Sequence, residues 1–194
     1  KCFAITGEHR DYHSILGKGK CVMAHPSDMA IVLIAMNAKA IIASRYKVNE
    51  IPLEDFFVEG NHLTETVLES DELVREIRVP KRKPETYSVF LKHRIRHASD
   101  FALVSVAAAV QIVEGSCRDV RIVIGGIAPF PYLVPKAEEI MRENKLSKEL
   151  ISQISEVCVE QARPLPMNHY KKDLAKALVK QALESIQHEA KSSF

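Results

Sequence analysis

Residues 103 to 127 read LVSVAAAVQIVEGSCRDVRIVIGGI. The three alanines Ala107-Ala108-Ala109 could open a helix on propensity alone. Their flanks, Val104, Val106, Val110, Ile112 and Val113, are β-branched and favour a strand. Glu114-Gly115-Ser116 then suits a hairpin turn, and Val120 to Ile127 supplies a second β-compatible run. Gly125-Gly126 ends that run with backbone freedom no other residue offers. Tyr87 to Arg96, upstream, makes a third run, so three antiparallel strands are expected here.

Downstream of Pro135 the period changes from two to three and four. Ala137 to Lys145 reads as one short helix. Ser147 caps a second, with Leu150, Ile151, Ile154, Val157, Cys158 and Gln161 on one stripe, and Pro164-Leu165-Pro166 stops it. The last helix runs from about Asn168 to Ala190, with Leu174, Leu178, Ala182 and Ile186 beside Ala175, Val179 and Leu183. Lys172, Lys176 and Lys180 line its opposite side. The expected layering is α+β: a three-stranded antiparallel sheet packed on about three helices, spanning 87–194.

Upstream, residues 81–86 (KRKPET) are the most polar, proline-containing stretch and mark a linker. The region 1–80 carries a helix-start signal at Pro26-Ser27-Asp28, followed by the run Met29 to Met36. That run is apolar nearly all round, so the helix is expected to be buried. Ala38 to Ser44 reads as a strand, with Tyr46 to Val58 as a turn and return segment. Glu72 to Pro80 alternates in the manner of a strand with one wet face.

Composition bounds what such a chain can do. It has 194 residues, 46% hydrophobic and 27% charged, with a net charge of +2. That is ordinary globular usage and excludes disordered and collagen-like classes. No block of five like charges occurs, so nucleic acid and polybasic membrane binding are not expected as partners. Met29 to Met36 falls far short of the roughly 20 residues that span a bilayer. Four cysteines are too few for a disulfide scaffold, and without a secretory apolar segment at the start a reducing, cytoplasmic setting is expected.

Cys2 and Cys21 lie among His9, His13 and His25, and thiolates with imidazoles on a loop are raw material for a metal or iron-sulfur site. The spacing itself is equally that of free thiols in a loop. Cys117 and Cys158 read as small buried hydrophobes. The string His25-Pro26-Ser27-Asp28 either caps a helix or presents Ser27 and Asp28 to a ligand hydroxyl or phosphate. Lys92, Arg94 and Arg96, at period two, would put three cations on one strand face, either solvated or cradling an electron-rich ligand. Gly125-Gly126 lacks the surroundings of a nucleotide loop, and no Ser-His-Asp or paired-carboxylate arrangement assembles.

Several strings together resemble a known family. Cys2 to Arg10 (CFAITGEHR), His13 to Gly17 (HSILG) and Cys21 to Asp28 (CVMAHPSD) are similar to the flavin (medium) subunit of molybdenum hydroxylases. That family includes the xanthine dehydrogenases, carbon monoxide dehydrogenases and aldehyde oxidoreductases. Ser99 to Ala109, Val120 to Pro129 and Pro164 to Asn168 are similar to its C-terminal domain.

The resemblance implies that residues 1–80 are the C-terminal part of a PCMH-type FAD-binding domain and that 87–194 are the subunit's own C-terminal domain. It implies FAD contact by Asp28 of the Ser27-Asp28 pair, Lys92 beside the flavin, Val74 packed near the isoalloxazine, and contact around Thr6 and Gly7. In members holding a 4Fe-4S cluster, Cys2 and Cys21 match the last two of four ligands. The implied partners are a molybdopterin large subunit and a 2Fe-2S small subunit, with NAD or another acceptor taking the electrons. The family's N-terminal half, its Gly-rich pyrophosphate loop and the first two cluster cysteines have no counterpart here. The expectation is therefore either the C-terminal part of a longer subunit or a split gene product completed by a partner that carries the missing N-terminal FAD-binding segment, binding FAD poorly alone. Two rivals stand beside it: a docking module without its own flavin, and a zinc module built on Cys2, Cys21 and the histidines.

Overall fold

A computed structural model of the chain describes residues 3–17, 19, 21–59, 64–97 and 99–192. Among the described residues, two antiparallel sheets, four α-helices and two short 3-10 helices make up the fold. The first sheet has order β2-β1-β3, with β1 Lys39–Ala43, β2 Val48–Pro52 and β3 Leu73–Arg78. The second has order β4-β5-β6-β7, with β4 Thr86–His93, β5 Val104–Val113, β6 Ser116–Gly125 and β7 Tyr132–Leu133. The helices are α1 Asp28–Ala35, α2 Pro135–Met141, α3 Lys148–Val157 and α4 Tyr170–Ser192. The α+β class is as the sequence indicated.

Period-two alternation along β5 gives the second sheet two different faces. Val104, Val106, Ala108, Val110 and Ile112 point into the main core, with Val120, Ile122 and Ile124 of β6 and the inner faces of α2, α3 and α4. The alternate residues Ser105, Ala107 and Ala109 are small. Ala107 and Val123 join a second core with Ile31, Ile34 and Ala35 of α1, Ala40 and Ile42 of β1, and Leu53 and Phe56. Ala107 of the opening stretch is thus part of the seat of α1, which packs against both β5 and β6. Arg121 of β6 fastens the far end of α1: its Nε donates to Ile34 O at 3.1 Å, and its guanidinium pairs with Glu54.

Five expectations change in detail. The second sheet has a fourth strand, β7, which is two residues long and follows Pro131, so no alternation announces it. The strand containing Lys92 ends at His93, where Leu103 N returns to His93 O at 2.9 Å. Arg94 and Arg96 therefore leave the strand face, and Arg96 pairs with Asp100 at 3.2 Å instead. The helix α1 is buried on two sides but not all round, because Met29 (66% exposed) and Met36 (44%) project from its two ends. Every residue of β3 is exposed, since it is an edge strand paired only with β1. Tyr46 to Val58 holds the five-residue β2 and then a short 3-10 helix, Leu53–Phe56, in place of one continuous return. Among the described residues no helix is long and apolar enough to cross a membrane.

Candidate functional site

The alternation that seats α1 also builds the site. Lys92 on β4 lies opposite Ser105 on β5, which lies opposite Gly125 on β6. Directly opposed residues share a face, so Lys92 stands on the α1 side of the sheet. Phe90, two residues earlier and 41% exposed, stands on that face too. Close approach of α1 requires the absence of a side chain at Gly125: a Cβ there would lie 2.6 Å from Ser105 Oγ and 3.3 Å from Ile31. At the N-terminus of α1, Ser27 Oγ accepts from Ala30 N at 3.1 Å, a true N-cap, and Asp28 follows in the first turn. Lys92 Nζ donates to Asp28 Oδ2 at 2.5 Å.

The pair is neither deeply buried nor fully open, with side chains 16% exposed for Lys92 and 35% for Asp28. One carboxylate oxygen, the remaining ammonium donors and the Ser27 hydroxyl proton are left for another molecule. The pair offers an acceptor and donors.

The other candidates stand elsewhere. Val74, 37% exposed, lies on β3 opposite Ile42. Thr6 and Gly7 close a turn in which Thr6 N and Gly7 N donate to Phe3 O at 3.2 and 2.8 Å. Cys21 is a half-buried free thiol, and Cys2 lies outside the described residues. Among the described residues no three His, Cys, Asp or Glu side chains converge to hold a metal. Among the histidines near Cys21, His9 and His13 stand edge-on to each other, with ring centroids 6.3 Å apart. His9 Nε2 accepts from Met167 N at 3.2 Å. His25 is packed edge-on to Phe57, and its Nδ1 lies 3.6 Å from Glu65 Oε2. Burial lowers the pKa of His25, and Glu65 only partly opposes it. Cys117 and Cys158 are structural: burial raises their thiols to about 11 and about 12.

A cleft of about 260 Å³, lined by Tyr12, Met23, His25, Pro26, Phe101 and Gly126, borders the loop leading into Asp28. A larger cavity of about 540 Å³ lies at the opposite end of α1, beside Met36, Asn37, Lys81, Arg82 and Arg121.

Sequence reasoning missed the groups that hold this loop in place. Lys171, which the sequence did not single out, is fully buried, as is Asn168. A signal did exist: Lys171 falls four residues before Ala175 and so lies on the apolar stripe of α4, not on its wet side.

Comparison with known proteins supplies the family. Residues 89–186 match the CO dehydrogenase flavoprotein C-terminal domain, and residues 14–82 match the FAD binding domain in molybdopterin dehydrogenase. The chain is 30% identical to the glyceraldehyde dehydrogenase medium chain of Sulfolobus acidocaldarius over 82% of its length, covering 57% of that protein. It is 29% identical to the aldehyde oxidoreductase FAD-binding subunit of Escherichia coli over 97% of its length, again covering 57% of the relative. The chain thus spans little more than half the length of these curated relatives. The fold is shared with the carbon monoxide dehydrogenase of Hydrogenophaga pseudoflava, at a TM-score of 0.75 and 24% identity over 82% of this chain and 56% of that one. The relatives are oxidoreductase subunits by name, and the C-terminal match alone covers half the sequence. The chain belongs to the family of FAD-binding medium subunits of molybdenum hydroxylases, the carbon monoxide dehydrogenase flavoproteins.

Proposed function

We propose that this chain is part of the FAD-containing electron-transfer subunit of a multi-subunit molybdenum hydroxylase, with residues 1–80 ending the FAD-binding domain, 81–86 a linker and 87–194 the C-terminal domain. The observation that supports this reading is the Lys92–Asp28 pair, in which the two residues that the family resemblance places at the flavin meet at 2.5 Å. Bound FAD would supply two-electron to one-electron switching between iron-sulfur clusters and a final acceptor, NAD or another.

The chain's own residues hold and orient. Asp28 accepts from a ring N–H or a hydroxyl, and Lys92 holds the carboxylate in one rotamer while presenting positive charge to an electron-rich ring. The Ser27 hydroxyl can donate while its oxygen caps α1. Val74 gives an apolar contact from the first sheet, and Thr6 and Gly7 give backbone contacts. Cys21, a free half-buried thiol, is available as a ligand to a 4Fe-4S cluster, with Cys2 as its partner and the remaining ligands outside this chain. The partners in this reading are a molybdopterin large subunit and a 2Fe-2S small subunit, in a cytoplasmic assembly.

The test is flavin and iron per mole of the purified complex. Stoichiometric FAD with iron beyond the small subunit's clusters supports both parts. Absent flavin favours a docking module, and zinc without extra iron overturns the cluster.

A further inference from the structure

Three successive carbonyls just past β6 receive three different segments of the chain. Gly126 O accepts from Lys171 Nζ at 2.8 Å. Ile127 O accepts from Ile15 N and Leu16 N at 2.8 and 2.9 Å, and Ala128 O accepts from His25 N at 2.9 Å. Gly126 holds a φ of +77°, the left-handed region that favours glycine. A Cβ there would also meet Leu103 O at 2.7 Å. The turn is therefore locked by the chain itself, and His25 leads directly through Pro26 and Ser27 into Asp28.

Lys171 is the unusual member. It has no solvent exposure, yet both of its hydrogen bonds go to neutral backbone oxygens, Gly126 O and His13 O at 3.0 Å. A buried ammonium bonded to neutral oxygens is costly, and burial outweighs the opposing charge of Asp11 in lowering its pKa. The start of α4 spends further groups on the same loop. Asn168 Nδ2 donates to His13 O and Ser14 O, both at 3.2 Å, while Tyr170 OH donates to Arg10 O at 3.0 Å. A methionine in place of Lys171 would fill this space without the charge. The lysine instead supplies donors to two backbone carbonyls, which a methionine could not.

We propose that Lys171 is a positioning residue for the flavin site. By binding Gly126 O and His13 O together it fixes the 126–128 turn against the 9–16 loop, and so sets where His25, Ser27 and Asp28 present themselves to Lys92. The inference rests on the flavin reading above.

The test is a double-mutant cycle in the complete subunit, with FAD as the probe: wild type, Lys171→Met, Asp28→Ala and the double variant. Lys171→Met is expected to raise the FAD Kd about five-fold with Asp28 present and less than about two-fold in the Asp28→Ala background, since a residue acting through Asp28 has nothing to act on once it is gone. An equal loss in both backgrounds, or none in either, overturns the proposal. Asp28→Ala binding FAD as tightly as wild type overturns the flavin reading itself, and is read from a different arm. Should Lys171→Met not accumulate folded, Lys171→Gln keeps an N–H donor on a shorter arm and serves in the same cycle.

Discussion

Lys92 and Asp28 stand 64 positions apart in the chain, yet Lys92 Nζ lies 2.5 Å from Asp28 Oδ2. Their meeting follows from the register of the second sheet. Lys92 faces Ser105, Ser105 faces Gly125, and the small side chains on that face let α1 sit close enough for its first carboxylate to reach the lysine. A part-exposed pair of this kind stabilises the fold only weakly, so its main effect is to hold a carboxylate and an ammonium in fixed directions.

The closeness of α1 to the sheet is therefore the first thing to perturb. Gly125→Ala places a Cβ 2.6 Å from Ser105 Oγ and 3.3 Å from Ile31, inside a region with no slack. A cost of roughly 1–3 kcal/mol is expected from such overpacking, read as a lowered denaturation midpoint. Weaker FAD retention should accompany it, because α1 must shift away from Lys92.

Lys171 makes stability depend on pH in a particular direction. Burial pushes its ammonium from the ordinary 10.5 down to about 8. Between those values the unfolded chain holds a proton that the native chain has released, so the unfolded state binds more protons and stability rises with pH across that window. Both carbonyl bonds survive, because a neutral amine still has two N–H groups. Denaturation midpoints measured from pH 7 to about 10 should climb relative to Lys171→Met, which lacks this contribution, while equal slopes for the two proteins would contradict it.

Thiol chemistry should separate the cysteines. Cys117 and Cys158 are fully buried with raised pKa values of about 11 and about 12, so they should resist alkylation in the native protein while Cys21 reacts. In the complete subunit Cys21→Ser should remove cluster iron and leave FAD content unchanged. Iron unchanged after that substitution would take Cys21 out of the ligand set.

Val74 offers a clean division between stability and binding. It is 37% exposed on an edge strand, so Val74→Ser should alter stability by less than about 0.5 kcal/mol. If the flavin ring packs on it, FAD affinity should fall roughly three- to ten-fold from lost apolar contact, measurable by titration. Unchanged affinity would place the ring elsewhere.

Much of this fold was legible because its signals are local. The valines and isoleucines around Ala107–Ala109 declared β5 against the helical pull of the alanines, and Ser147 declared the start of α3, where its Oγ accepts from Leu150 N at 3.2 Å. Asp28 and Lys92 were legible one at a time, from a cap motif and from likeness to a family. Their contact depends on strand register and helix docking, which no window of sequence carries. The strand face expected for Arg94 and Arg96 failed because alternation continued past the point where the backbone turned away at His93. Lys171 was overlooked for the opposite reason. It stands beside Lys172 at a polar helix start, which masks its place on the apolar stripe, and its partners His13 O and Gly126 O are far away in sequence.

The central claim is that the Asp28–Lys92 pair holds a flavin, and bound FAD per mole of the complete subunit, before and after Asp28→Ala, tests it most directly. The account predicts FAD near one per subunit in the wild type, falling to a small fraction in the variant while the far-ultraviolet circular dichroism stays unchanged. A folded Asp28→Ala subunit that keeps its full complement of flavin would contradict it.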